Sequence, residues 1–479
     1  DAWDHPVWAP KRFQDKHIAT SAMYRDSDLL EPQMGWWAPR GPTAIGRGHF
    51  LDDMEYFACK NLGLDSASSI QGINVSHAPL PLYIEQQITL LGWYEHLRLA
   101  RYFDAPTIER IAVPGAEFRL RQAADGTWLF TPLVMHTHRF THPQAHWSCN
   151  NPYPTQPLSL RLEALYAAAP YNHAEAVPLL STNDFPNFTT ATASGNVKLD
   201  LQTITTNTHN NTHNLRLTAI NRSSTSAGAW ARAELKFPDP YRNLNNSQAF
   251  ALWVKGDGSG ALLNIQLGTP REYMHATSDH YVTLDFTGWR YVELLPRERD
   301  VAHLQDNVWP YGGAYTIYRT PLNMRHISHL SLYLNALPPG ANVEVTLTPI
   351  NAMPTRKITF AAPCITLNDQ SITLPYTLTS GDFVELEPDG YCTHFNEQGL
   401  PLARQSLAAP YMVKGGSNHF SFACPPATNG TPRAELSLNF FGEKFGTQNP
   451  KSRIDRTYMR HEYAMPLAIT TPDNAPEIF

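Results

Sequence analysis

This sequence of 479 residues has little charge. Asp, Glu, Lys and Arg together make up 17% of it, the formal net charge is −6, and no run of Lys or Arg occurs. A basic patch is the electrostatic footprint of nucleic-acid binding, so this class of function is disfavoured. No stretch approaches the ~18 consecutive apolar residues of a transmembrane helix, so the sequence predicts no membrane span.

Cysteine is scarce as well. The five cysteines are widely spaced, odd in number and form no C-x-x-C pair, so the sequence predicts neither a disulfide framework nor a cysteine metal site. One pair among Cys364, Cys392 and Cys424 could form a bridge, although buried thiols are the favoured interpretation. The motifs G-x-S-x-G, G-x-G-x-x-G, H-E-x-x-H and the P-loop are also missing, and no signature names a reaction.

Proline and aromatic residues, in contrast, are plentiful. The 39 prolines and 11% aromatics are typical of loop-rich β domains and of clefts that face sugars. The length allows about three domains. We predict a multidomain chain that combines α/β and all-β parts. Residues 1–116 are predicted to form an incomplete barrel-like α/β region, and residues 117–175 a β-extension with a linker. Residues 176–352 are predicted to form a jelly-roll sandwich, and residues 353–479 a second sandwich with a tail.

The segment 281–295 shows the clearest strand pattern. Apolar and polar residues alternate, and Thr287-Gly288 is predicted to turn between two strands, 281–286 and 291–295. Further strands are predicted at 249–254, 262–267 and 330–334, which is the spacing of an antiparallel sandwich. The stretches AFALWVKGDGSG, LNIQLG, YVTLDFTGWRYVEL and ISHLSLYLN resemble the β-jelly-roll carbohydrate-binding modules of family 11. Such modules accompany secreted bacterial glycoside hydrolases, and the resemblance implies a glycan-binding jelly roll over about 180–350.

The first 120 residues follow a strand–helix–strand–helix order. Helices are predicted at about 52–62 and 79–103, with strands at 29–37 and 68–73. This order resembles the last part of a (β/α)8 barrel, which needs ~250 residues in all. We therefore expect a partial barrel that is completed by residues absent here, or by a second chain.

Carboxylates in that region are the candidate catalytic groups. Glycoside hydrolysis needs one protonated and one ionised carboxyl group across the scissile bond. The candidates are Glu31, Asp52, Asp53 and Glu55. The alternative for Asp52-Asp53 is an N-terminal helix cap, because acidic residues are favoured at that end of the helix dipole.

Aromatic and basic residues near strand ends are the candidate substrate-binding groups. Aromatic rings stack on pyranose faces, and Arg and His would suit an acidic or sulfated glycan. The residues are Trp36, Trp37, Arg40, His49 and His77 in the barrel-like region, with Trp253, Tyr273 and Trp309 in the jelly roll. Core packing is the alternative for Trp36 and Trp37.

No metal site is predicted. His136, His138 and His142 fall within seven residues, but their spacing matches no zinc signature. We expect no cofactor, apart from an optional structural Ca²⁺ for which Asp257 is a candidate ligand; a plain turn explains that loop equally well.

The favoured function is that of a secreted, cell-surface or periplasmic bacterial glycoside hydrolase acting on a polysaccharide or oligosaccharide. The alternatives are a non-catalytic glycan-binding or structural protein, and a subunit that completes a barrel begun on another chain. Asp1 is interpreted as the start of a mature form or of a fragment.

Overall fold

A computed structural model provides the three-dimensional description of the chain. It describes residues 32–452, except 40, 44–45, 71–72, 74–79, 142–143, 189, 210, 274–275, 299–321, 408–409, 426 and 428–430, together with Lys11, Asp15, Ile18 and Ser21. Among the described helices, none combines the length and the apolar character needed to cross a bilayer.

The N-terminal part is a helical layer with two short parallel strands. Its elements are β1 (Gln33–Trp37), α1 (Leu51–Gly63), β2 (Ala67–Ile70), α2 (Leu82–Leu99) and α3 (Ala105–Ala112). β1 and β2 pair in parallel, with a bulge where Gly35 adopts a positive φ of 92°. Helix α1 begins where the Phe50 amide donates to the Asp53 carboxylate at 2.9 Å.

A run of strands follows this layer. They are β3 (Glu117–Gln122), β4 (Trp128–Phe140), β5 (Gln144–Asn151), β6 (Gln156–Pro157), β7 (Ser159–Ala164) and β8 (Ala167–Ala168). The pairing partners of these strands lie mostly about 200 to 300 residues further along the chain. The segment is therefore half of a domain rather than a separate extension.

The next twelve strands form a jelly roll. They are β9 (Val177–Leu180), β10 (Thr190–Ala193), β11 (Val197–Thr208), β12 (Asn211–Asn221), β13 (Trp230–Lys236), β14 (Ala249–Asp257), β15 (Leu262–Thr269), β16 (Ala276–Thr283), β17 (Thr287–Leu294), β18 (His329–Asn335), β19 (Asn342–Leu347) and β20 (Ile350–Met353). One sheet has the order β10-β13-β18-β15-β16. The other has the order β11-β12-β19-β14-β20-β9, with β17 on the second edge of β14. Inward-facing Leu, Ile, Val and Ala residues of both sheets share one core.

The remaining strands return to the first half. They are β21 (Thr355–Arg356), β22 (Thr359–Ala361), β23 (Cys364–Leu367), β24 (Gln370–Thr373), β25 (Thr377–Thr379), β26 (Phe383–Leu386), β27 (Tyr391–Phe395), β28 (Pro401–Ser406), β29 (Met412–Val413), β30 (Gly416–Ala423) and β31 (Ala434–Phe441). With the strands before the jelly roll they form a seven-stranded sheet, β28-β27-β26-β7-β31-β4-β3, and a four-stranded sheet, β24-β23-β30-β5. We call this domain the split sandwich.

The jelly roll is thus inserted into the split sandwich. The chain leaves through β8 and returns through β21, and these two short strands pair with each other, Thr355 opposite Ala168. This pairing corrects the predicted division at residue 353, because 117–168 and 355–441 share both sheets. β9, directly after the predicted β-extension and linker, already belongs to a jelly-roll sheet.

Two further expectations differ from the structure. Thr287-Gly288 makes no hairpin, because β16 and β17 lie in different sheets and β17 pairs with β14 from Thr287 onward. A partial (β/α)8 barrel is not shown either. The described part of the N-terminal layer contributes one β-α-β unit, and its helices pack on β3 and β4 through Phe118, Leu120, Trp128 and Phe130. The fold is mostly antiparallel β-sandwich.

Candidate functional site

A cleft lies between the helical layer and the seven-stranded sheet of the split sandwich. Its cavity volume is about 300 Å³, and we call it the interlayer cleft. Its walls combine carboxylates, arginines and aromatic rings from both sides, among them Phe50, Asp52, Glu55, Tyr83, Trp93, Arg119, Arg161, Phe383, Glu385, Glu387 and Phe395. Three of the predicted site residues, His49, Asp52 and Glu55, line this cleft.

Asp52 is buried between two cations. Its carboxylate lies 2.8 Å from Arg161 Nη1 and 2.6 Å from Lys11 Nζ. Burial by itself would raise the pKa of Asp52, but Arg161 and Lys11 hold that pKa well below its usual range. Asp52 is therefore an ionised carboxylate at neutral pH.

The two neighbouring acids have structural partners. Asp53 is 1% exposed and accepts the Phe50 amide proton, so it caps α1, as the alternative interpretation expected. Glu55 is 3% exposed. It accepts from Arg119 at 2.6 Å, from the Leu120 amide at 2.8 Å and from Tyr94 Oη at 3.2 Å. Catalysis by any of these acids stays a prediction.

Glu385 is the acid that the sequence analysis missed. It lies on β26 directly opposite Arg161 of β7, with its carboxylate 3.8 Å from the same Nη1 atom that contacts Asp52. Burial raises the pKa of Glu385; Arg161 opposes the rise and Asp52 adds to it. Its side chain nevertheless keeps 40% exposure, so solvent reaches it. The cleft therefore holds two carboxylates whose pKa values move in opposite directions.

Beside the cleft, buried ion pairs connect the helical layer, the split sandwich and the jelly roll. Arg47 from the helical layer contacts Glu163 and Glu435 of the split sandwich. Arg139 contacts Glu435 at 2.7 Å and Glu298, which follows the jelly-roll strand β17, at 3.0 Å. These contacts satisfy a polar sheet face that would otherwise be buried without partners.

Of the other predicted site residues of the helical layer, Trp37 and His49 are buried, and the rest lie outside the described residues or have an undescribed side chain. Trp37 has no exposed surface, donates to Gln87 Oε1 at 2.9 Å and stacks on Phe57, so it is a core residue, as the alternative interpretation expected. His49 is 6% exposed and lies 4.7 Å from the Trp37 ring. Glu31, Arg40, His77 and Trp309 lie outside the described residues, as does the side chain of Trp36.

Tyr273 forms an exposed aromatic platform at one end of the jelly roll. Its side chain is 39% exposed, and its ring is parallel to that of His326, with centroids 3.7 Å apart. Tyr241 contacts it edge-on at 6.3 Å and donates from Oη to Glu272 Oε1 at 3.0 Å. We call this group of Tyr241, Tyr273 and His326 the Tyr273 platform.

Three loops hold the platform in place. The loop after β13 and the loop before β18 bond through their backbones, Arg242 to Ile327 in both directions and Leu244 to Met324. Tyr273 itself ends a short 3-10 turn after β15. His326 covers one face of the Tyr273 ring, and the rest of the residue accounts for its exposure.

One face of the Trp253 ring is covered by a neighbouring imidazole. The Trp253 ring lies on the outer face of β14, but His209 from the β11–β12 hairpin is parallel to it with centroids 3.6 Å apart. Tyr291 and Trp289 of β17 are its neighbours on this face. A sugar could stack on the covered face of Trp253 only after His209 moved away, so its role in binding stays a prediction.

The remaining candidates have local partners. His138 stacks on Trp147 at 4.7 Å, and His136 lies 3.1 Å from the Asn150 carbonyl oxygen. Among the described residues, no three His, Cys, Asp or Glu side chains meet as a metal site. The two Asp257 carboxylate oxygens accept hydrogen bonds from the backbone amides of Ser259 and Glu344. All five cysteines are free thiols.

Comparison with known proteins identifies no family for this chain. No protein-family model matches it, and no curated protein matches it. One similar solved structure is a family 11 carbohydrate-binding module from Clostridium thermocellum in complex with a β-1,3-1,4-mixed-linked tetrasaccharide. It is 10% identical with a TM-score of 0.27, and the alignment covers 37% of this chain and 95% of the module. An exo-β-agarase is 12% identical with a TM-score of 0.25, over 37% of this chain and 24% of that one. A family 30 carbohydrate-binding module is 14% identical with a TM-score of 0.24, over 37% and 98%. At these scores the likeness carries no argument, and the jelly roll rests on its own strand pairing.

Proposed function

We propose that this protein binds glycans through its jelly roll and serves polysaccharide degradation outside the cytoplasm. The observation that carries the proposal is the Tyr273 platform. Tyr273 is 39% exposed, and its ring stacks on the imidazole of His326. Aromatic rings in fixed positions bind the apolar faces of sugars at little cost in conformational entropy.

Polar groups around the platform suit the hydroxyl groups of a sugar. Asn245 and Glu272 lie in loops that border Tyr241 and Tyr273, and both residues are exposed. A ring that supplies apolar contact, surrounded by amide and carboxylate groups, is the usual composition of a small-molecule site. This site lies on loops, so the apolar core of the jelly roll is not disturbed by it.

The direct test is affinity electrophoresis of the full chain in gels that contain individual polysaccharides, followed by titration calorimetry with oligosaccharides. Tyr273→Ala should weaken binding at least about tenfold, because a central aromatic contact is worth about 2 kcal/mol. Tyr273→Trp should retain binding. Leu402→Ala removes a 56% exposed apolar side chain from the split sandwich and is the matched control.

Retention of full affinity by Tyr273→Ala, with circular dichroism unchanged, would place the site elsewhere. Absence of binding to every polysaccharide in a broad panel would refute the proposal as a whole.

A second candidate function is hydrolysis of a glycosidic bond in the interlayer cleft. It is favoured by Asp52 and Glu385, whose carboxylates approach the same Arg161 Nη1 atom at 2.8 and 3.8 Å. One carboxyl pKa is lowered and the other is raised, which is the division of roles that an acid and a base require. In this proposal further barrel strands would come from additional polypeptide, and Arg161 would have to release one carboxylate when substrate enters.

Release of reducing sugar by the purified chain tests this second proposal. Glu385→Gln should reduce the activity at least about a hundredfold, since general acid catalysis contributes about that much to the rate. Glu443→Gln, at an exposed carboxylate outside the residues that line the cleft, is the control and should retain it. Equal activity of the two variants would rule out Glu385 as the acid.

A further inference from the structure

Two exposed arginines flank the Tyr273 platform. Arg271 begins the same short turn that Tyr273 ends, and Arg325 directly precedes His326, the residue that stacks on Tyr273. Both side chains belong to exposed residues. The two arginines therefore neighbour platform residues along the chain, in loops that are more than fifty residues apart in the sequence.

Among the residues that the structure describes, neither Arg271 nor Arg325 has a carboxylate within ion-pair distance; Arg325 Nε contacts the Asn245 side-chain oxygen at 3.5 Å. Glu272, the acid of the same turn, accepts from Tyr241 Oη instead. By contrast, Arg242, in the loop after β13 that also carries Tyr241, is paired with Asp184 at 3.1 Å.

We infer that the Tyr273 platform takes an anionic sugar, one that carries a sulfate ester or a carboxylate. This inference rests on the proposed glycan-binding function and names the substrate class of that site. The sugar ring would lie on the exposed area of Tyr273, and its anionic substituent would accept from one or both guanidinium groups. Guanidinium matches sulfate and carboxylate in planar, two-pronged hydrogen bonding.

The size of the effect follows from the exposure of these arginines. An exposed ion pair contributes little, so a single arginine should change affinity only about two- to fivefold. The contribution should also fall with ionic strength, because charges exposed to solvent are screened over about 10 Å at 0.1 M salt. The aromatic contact with Tyr273 should not depend on salt.

The experiment measures binding of the full chain to matched polysaccharide pairs. One pair is a sulfated galactan and its desulfated form, and the other is polygalacturonate and its methyl ester. We expect tighter binding to the charged member of at least one pair, and a preference that shrinks in 0.5 M NaCl. The pair that shows the preference identifies sulfate or carboxylate as the anion.

Three variants separate the contributions. Arg271→Gln should weaken binding of the charged member by about two- to fivefold and leave binding of the neutral member unchanged. Tyr273→Ala should weaken binding of both members. Arg222→Gln, at an exposed arginine elsewhere on the jelly roll, should change neither.

Two results would overturn the inference. Equal affinity for charged and neutral members, with no effect of Arg271→Gln, would overturn it while leaving glycan binding intact. An equal loss in Arg222→Gln and Arg271→Gln would show general charge attraction rather than a site. Failure to bind any polysaccharide would instead refute the proposed function itself.

Discussion

The jelly roll and the split sandwich are both antiparallel, but they differ in how the chain builds them and in how one sheet face of the split sandwich is covered. The jelly-roll core is built from one continuous stretch of chain, and Leu263, Ile265, Leu332 and Val345 in it have no exposed surface. The split sandwich is assembled from two distant stretches, and one face of its large sheet is covered by the helical layer. That covered face carries Arg161, Glu163 and Glu435 rather than apolar residues.

The difference shows two ways to bury a sheet. On β7 the apolar Leu160 and Leu162 face the sandwich core, while Arg161 and Glu163 alternate with them on the opposite face. Covering such a face with protein removes water from the charged groups, which is costly unless each finds a partner. The helical layer and the jelly roll supply those partners through Arg47, Asp52 and Glu298.

The largest effect is expected at Arg47. Arg47→Met would leave Glu163 buried without its ion-pair partner and would remove one of two partners of Glu435. Breaking a buried pair on one side costs about 3–5 kcal/mol. Urea denaturation should therefore show a large loss in the free energy of unfolding of the split sandwich.

The matched control is Arg216→Met in the jelly roll. Arg216 contacts Glu344 at 3.5 Å, and these side chains are 35% and 43% exposed. We expect a loss of no more than about 1 kcal/mol. Equal losses in the two variants would contradict the contrast between the regions.

A core truncation should separate the two domains. Leu332→Ala on β18 should cost about 2–5 kcal/mol and lower the unfolding temperature of the jelly roll, whose core closes on itself. Leu436→Ala on β31 should do the same to the split sandwich. Calorimetry should resolve two transitions that respond separately; a single transition that shifts equally in both variants would show that the domains unfold together.

Acid should act mainly on the split sandwich and its junctions. Burial by itself would raise the pKa values of Glu298 and Glu435, but their arginine partners lower both below the usual range. Their stabilisation is complete above the unfolded carboxyl pKa of about 4.3 and is lost as the pH falls toward the lowered values, on the order of 2 kcal/mol for one carboxylate. Glu385 has a raised pKa and contributes with the opposite sign.

Urea midpoints at pH 7, 4 and 3 measure this dependence for the two transitions. The split-sandwich midpoint should fall first. A jelly-roll midpoint that falls earlier would show that its stability depends on carboxylates more than the described contacts indicate.

The smallest effect is expected at His209. His209→Asn removes the ring that covers Trp253, and Asn tolerates the positive φ of 51° at this position. Stability should change by less than about 1 kcal/mol. Quenching of tryptophan fluorescence by acrylamide should increase, and the increase should be absent when Trp253→Phe is added. No increase would mean that other groups keep Trp253 covered.

Several elements were predictable because their signals are local. Alternation at 249–254, 262–267 and 330–334 predicted jelly-roll strands that the structure shows as β14, β15 and β18. The helical stripe at 79–103 predicted α2, although the helix is shorter, Leu82–Leu99. These features depend on residues a few positions apart, where side-chain periodicity and backbone geometry act directly.

Long-range arrangements could not be predicted in the same way. Strand alternation shows which side chains share a face, but not what covers that face. Glu385 reads as an ordinary outward residue of β26, and it becomes a cleft residue only because Asp52 and Arg161 meet it from distant segments. Likewise, Trp37 is equally suitable for a sugar site or a core until Phe57 and Gln87 are placed beside it.

By itself, the sequence determined that this chain is rich in antiparallel strands, carries a jelly-roll pattern over about 180–350 and lacks the motifs of several enzyme classes. Those conclusions follow from composition and periodicity, which are properties of neighbouring residues. Tertiary structure alone decided that the jelly roll interrupts another sandwich, and that Tyr273 is exposed while Trp253 is covered. Exposure and ion pairing depend on which distant segments meet, and such contacts form only when the whole chain has folded.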